Sequence, residues 1–89
     1  MKYPISKKRL KSGESLHVSM SMGFLEMQDA MSVYDTTPEE TFKLIMECRE
    51  EYIDFHFNYG YSITNIKTIL LEEPSYCKEY RCRIDITKL

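Results

Sequence analysis

Eighty-nine residues, 43% apolar and 29% charged with a formal charge of −2, suit one domain with a thin core. Three glycines and three prolines are too few for a low-complexity chain, and no internal repeat recurs. Apolar runs of at most three residues exclude a membrane-spanning helix. The basic start lacks the apolar stretch of a secretory signal.

Residues 1–11 carry Lys2, Lys7, Lys8, Arg9 and Lys11 and no acid. They are expected to form a basic arm ahead of a single domain over residues 12–89. Leu16, Val18, Met20, Met22 and Phe24 then alternate with His17, Ser19, Ser21 and Gly23. That period of two predicts a half-buried strand. Met27, Met31 and Val33 continue a weaker alternation that Asp29 interrupts. A second strand paired back on the first is expected over residues 27–34, with a broad loop as the alternative.

Residues 36–57 predict one long amphipathic helix. Thr37 and Glu40 have the spacing of a capping box, and Pro38 falls at the first helical position. Phe42, Ile45, Met46, Arg49, Tyr52, Ile53 and His56 follow a helical period on one side, widened by Leu44, Cys48 and Phe55. Lys43, Glu47, Glu50, Glu51 and Asp54 form the wet face, and Gly60 supplies a stop. Residues 61–71 are rich in Ile and Thr and predict a strand, with a helix as the competing reading. After the turn Glu72-Glu73-Pro74-Ser75, a last strand places Tyr80, Cys82, Ile84 and Ile86 on one side. Glu79, Arg81, Arg83, Asp85 and Thr87 take the other.

The expected fold is therefore a two-layer α+β domain, one long helix on a four-stranded antiparallel sheet, in the order β-β-α-β-β. The open sheet face should carry His17, Ser19, Ser21, Arg81, Arg83 and Asp85. Homodimerisation would bury further surface.

Charge is unevenly spread. Residues 12–75 hold three bases and twelve acids, a local −9, between ends of +5 and +2. Five of the eleven aromatics, Tyr52, Phe55, Phe57, Tyr59 and Tyr61, crowd around His56. No nucleophile, acid–base or phosphate-loop motif accompanies them. Catalytic residues, cofactor and metal are accordingly expected to be none. Three cysteines cannot all pair within one chain, which suggests reduced thiols in the cytoplasm. A metal site built from Cys77 and Cys82 with His56 or His17 is the rival reading, but Cys-x4-Cys is not a usual zinc spacing.

In size and composition the chain is similar to the short accessory proteins of phages and mobile elements. That likeness assigns no site; the acidic middle, the aromatic cluster and the lack of catalytic motifs carry the expectation of a protein that occludes or regulates a partner. The leading expectation is a non-enzymatic protein-binding module. Glu47, Glu50, Glu51 and Asp54 would dock a basic protein partner, and Tyr59 and Tyr61 would anchor it. The rival is a small nucleic-acid-binding regulator using Lys7, Lys8, Arg9 and Lys11 with Arg81 and Arg83.

Overall fold

The computed structural model describes residues 10–89. Strand β1 (Ser15–Gly23) is followed by helices α1 (Phe24–Tyr34), α2 (Pro38–Glu47) and α3 (Glu50–Tyr59), then by strands β2 (Tyr61–Leu71) and β3 (Glu79–Lys88). A 3-10 turn at Ser75–Cys77 joins β2 to β3. Among the described residues the sheet has three strands in the order β1-β3-β2, with both pairs antiparallel. The coarse α+β class holds, but the expected four-stranded sheet with one long helix is corrected on two counts.

First, residues 27–34 belong to a helix. Phe24, Met27 and Met31 recur at three and four residues, and Met27 is fully buried. Leu25, Glu26, Gln28 and Ala30 are good helix formers. Asp29, which interrupted the strand alternation, faces water. The helix ends at Asp35, whose left-handed backbone (φ 52°, ψ 52°) lets its N–H donate to Met31 O. Asp tolerates that conformation better than most residues.

Second, the long helix is broken at Cys48 and Arg49, where Arg49 turns extended (φ −76°, ψ 129°). The break resets helical phase. Phe42 and Met46 are buried in α2, and Tyr52 and Phe55 in α3. In a straight helix, Phe55 would lie about 140° around the axis from Phe42. One uninterrupted helix therefore could not bury both pairs against one sheet.

The start of α2 follows the expected capping box. Glu40 N–H donates to Thr37 Oγ1 at 3.2 Å, and Thr37 N–H donates to Glu40 Oε1 at 3.1 Å. Helix α3 stops at Gly60 (φ 71°, ψ 34°), a left-handed position that favours glycine.

The helices pack on one sheet face. Val18 from β1, Ile84 and Ile86 from β3, and Phe42, Met46 and Met27 from the helices make the fully buried centre. Of the expected arm, residues 1–9 lie outside the described residues. Leu10 packs against the core and donates its N–H to Tyr61 Oη at 2.8 Å. Lys11 is exposed, and its N–H donates to Glu14 Oε1 at 2.7 Å.

Candidate functional site

Two surfaces of opposite character emerge. The first is the open face of the sheet. The register sets His17 beside Asp85, Ser19 beside Arg83, and Ser21 beside Arg81. On the other flank Asn65 meets Asp85, Lys67 meets Arg83, and Ile69 meets Arg81. The strand alternation thus places His17, Ser19, Ser21, Arg81, Arg83 and Asp85 together, as the sequence pattern implied. Lys67 joins them because β2 borders β3. A shallow groove of about 510 Å³ runs between Ser19, Ser21, Lys67, Ile69, Arg81 and Arg83.

Acids temper this basic face. Arg81 Nε lies 3.1 Å from Glu79 Oε1, and Arg83 Nε lies 3.3 Å from Asp85 Oδ1. Asp85 also accepts from Asn65 Nδ2 at 3.3 Å. Its closest partner is His17, whose Nδ1 stands 2.7 Å from Asp85 Oδ1. An ionised carboxylate has no hydrogen to give, so Nδ1 must donate. Arg83 Nη2, 3.0 Å from the same nitrogen, then faces a protonated atom, so one contact excludes the other. The His17 hydrogen bond is the main reason Asp85 titrates below the usual carboxylate range, with Asn65 and Arg83 adding to it.

The second surface is helical. Residues 24–59 contain nine acids and two bases, a net −7, so the helical layer is strongly acidic. On α3, Glu50, Ile53, Asp54 and Phe57 fall within about 100° of arc, and all four are exposed. Ile53 is 40% exposed and Phe57 is 79% exposed. An acid and an apolar residue thus alternate along two turns. Glu47, at the end of α2, is exposed nearby in sequence.

The expected docking residues divide. Glu47, Glu50 and Asp54 are exposed, whereas Glu51 is buried in the first turn of α3. There the positive end of the helix dipole favours a carboxylate. Tyr59 is 40% exposed and sits edge-on to Phe55 at 5.8 Å. Tyr61 is a core residue at 3% exposure, 5.2 Å from the Phe55 ring. His56 ties this cluster to the following strand, its Nδ1 donating to Tyr61 O at 2.6 Å. Most of the aromatic crowd therefore plugs the end of the core. Phe57 is the ring of this cluster left farthest outside, at 79% exposure, and the sequence reading did not single it out. Its signal was the spacing Glu50, Ile53, Asp54, Phe57, hidden by running one helical phase through Arg49.

Two buried groups are shifted by their surroundings. Burial raises the Tyr52 hydroxyl above its ordinary pKa, against a hydrogen bond to the Ile63 backbone, and Glu47 adds to the rise. Burial likewise raises the Cys82 thiol, with the neighbouring Thr68 opposing the rise. Cys48 and Cys77 are exposed, and all three thiols are free. Among the described residues, no three His, Cys, Asp or Glu side chains are grouped to hold a metal. No helix of the described residues is long and apolar enough to cross a membrane. No family model, curated protein or solved structure matches the chain.

Proposed function

We propose that this protein is a small non-enzymatic binding module that docks a basic protein partner through the outer face of α3. One observation carries the reading: Phe57 stands 79% exposed on an acidic stripe, one turn from exposed Ile53. A large aromatic left in water beside carboxylates suits an interface in which an apolar anchor is ringed by charge. Glu47, Glu50 and Asp54 would steer a cationic surface, and Phe57 and Ile53 would enter an apolar cleft on it. The relevant action is occlusion or regulation of that partner, and the free thiols favour the cytoplasm as the compartment.

The test is capture from the native host with three full-length baits: wild type, Phe57→Ser with Ile53→Ser, and Arg81→Glu with Arg83→Glu. A partner retained by wild type and by the sheet-face variant, but lost from the α3 variant, supports the reading. A partner indifferent to the α3 substitutions refutes it.

A second reading rests on Lys67, which lines up with Arg81 and Arg83 over the open sheet face. These cations would contact a nucleic-acid backbone and give a log-affinity versus log-salt slope of about −2 to −3. Titration with labelled single- and double-stranded oligonucleotides at two salt concentrations tests it. Binding that survives Arg81→Glu with Arg83→Glu would exclude the sheet face.

A further inference from the structure

The two edges of the sheet are not alike. Edge strand β2 has a register irregularity between Ile63 and Asn65 and carries Lys67 near its middle. Bulges and lysines are the devices by which edge strands avoid pairing with other chains. Edge strand β1 has none of them. It runs nine residues in unbroken register with β3. Between Ser15 and Gly23 there is no Lys, Arg, Asp, Glu or Pro.

The hydrogen-bond pattern shows which groups the edge presents. Lys88 N–H donates to Glu14 O at one end of the β1–β3 ladder, and Phe24 N–H donates to Lys78 O at the other. In an antiparallel ladder, alternate residues bond to the partner strand. Residues 16, 18, 20 and 22 therefore turn their backbone groups toward β3. Residues 15, 17, 19, 21 and 23 turn theirs to the outer edge, which no strand of the described residues pairs.

We propose that β1 pairs antiparallel with β1 of a second copy of this chain, about a two-fold axis at Ser19, to form a continuous six-stranded sheet. This register joins all nine residues and matches open donors to open acceptors. Its odd-numbered pairs could exchange about ten backbone hydrogen bonds. It also matches the faces. On the helix side Leu16 would meet Met22 of the second copy, and Val18 would meet Met20. All four are wholly or partly buried already, and pairing would cover their remaining exposed surface. On the open side His17 would meet Ser21, and Ser19 would meet its own counterpart. No like charges oppose each other, which is the condition for self-association at a strand edge.

Sedimentation equilibrium of the full chain gives the first readout, with twice the chain mass expected. Ser19→Pro removes a donor that points to the open edge and no bond to β3. It should yield the mass of one chain with unchanged circular dichroism. Ser19→Cys in a Cys48→Ser, Cys77→Ser background gives an independent readout. Paired counterparts lie about 5.5 Å apart, within disulfide reach, so mild oxidation should produce a covalent dimer. Ser15→Cys in the same background should not cross-link, because its counterpart lies about 27 Å away. A monomer at every concentration overturns the proposal. So does a dimer that Ser19→Cys cannot trap or that Ser15→Cys traps equally well. A wild-type monomer that dimerises only after removal of residues 1–9 would overturn it too, and would assign the edge to that segment.

Discussion

Replacing Phe55 and Ile53 by alanine, one at a time, tests the reset of helical phase between α2 and α3. A straight helix continuing from Phe42 and Met46 would turn Ile53 toward the sheet and leave Phe55 at the margin. In the structure the order is reversed: Phe55 is 6% exposed and Ile53 is 40% exposed. Removing a buried phenyl ring typically costs about 3–5 kcal/mol, because the lost transfer energy is joined by that of a cavity. Phe55 also packs on Tyr59 and Tyr61, so neighbouring rings would lose contacts. In a domain of this size each kcal/mol lowers Tm by roughly 4–8 °C, so Phe55→Ala should lower it by roughly 12 °C or more. Ile53 hides only part of its side chain. Full burial of such a residue is worth about 1.5–3 kcal/mol, and alanine returns a few tenths through better helix propensity. Ile53→Ala should therefore cost about 1 kcal/mol. Urea and thermal unfolding followed by circular dichroism would measure both. If Ile53→Ala proved as damaging as Phe55→Ala, the break at Arg49 would be wrong and the continuous helix restored.

Thr37→Ala removes the hydroxyl that accepts from Glu40 N–H, leaves the Thr37 backbone N–H that donates to Glu40 Oε1, and should cost about 1 kcal/mol in urea unfolding. Thiol titration of the native protein should count two accessible groups, Cys48 and Cys77, with Cys82 reacting only after denaturation because it is buried. Asp85 has a lowered folded pKa, so it contributes stability above the unfolded value of about 3.9 and loses it as pH falls through the folded one. A carbon-detected NMR titration of Asp85 should move upward in His17→Gln; an unmoved midpoint would show that the histidine is not the main cause. Tyr52 has a raised pKa and works in the opposite sense: its contribution is complete below about pH 10 and declines as pH rises toward the folded value. In Tyr52→Phe the alkaline fall in stability should be shallower.

Local signals were legible wherever the deciding interactions are local. Thr37 and Glu40 satisfy each other within one turn, so the cap could be read from four residues. Strand alternation needs only a wet face and a dry face, so the grouping of His17, Ser19 and Ser21 with Arg81, Arg83 and Asp85 followed from parity. Helix α1 was not legible in the same way. Met20, Met22, Met27 and Met31 can be read as a strand that continues or a helix that begins, and only packing of Met27 into the core decides. The break at Arg49 carries no Gly or Pro to mark it. It follows from the need to bury Phe42 and Phe55 on the same sheet, which is a tertiary constraint. Two of the expected docking residues lie inside for tertiary reasons as well. Glu51 is exposed or buried according to helical phase, which is set by a break the sequence does not announce, and Tyr61 opens β2 and is buried by packing against Phe55.

The proposed pairing of β1 and the proposed docking stripe on α3 bear on each other through topology. Strand β1 is at one edge of the sheet, and β2, against which α3 packs, is at the other. Pairing through β1 therefore leaves α3 uncovered in both copies. The two β2 strands would be the outermost of six, about 24 Å apart at ordinary strand spacing. Each would carry its own acidic helix and its own Phe57. A partner with repeated basic sites could then be held at two points, and the second contact would form at the high effective concentration set by a rigid spacer. The two ideas separate cleanly in the Ser19→Pro variant. It should keep the affinity of a single α3 stripe for a single site while losing the added avidity for a repeated one. Equal loss at both kinds of site would mean that the partner is bound across the β1 edge itself, and α3 would not be the docking face.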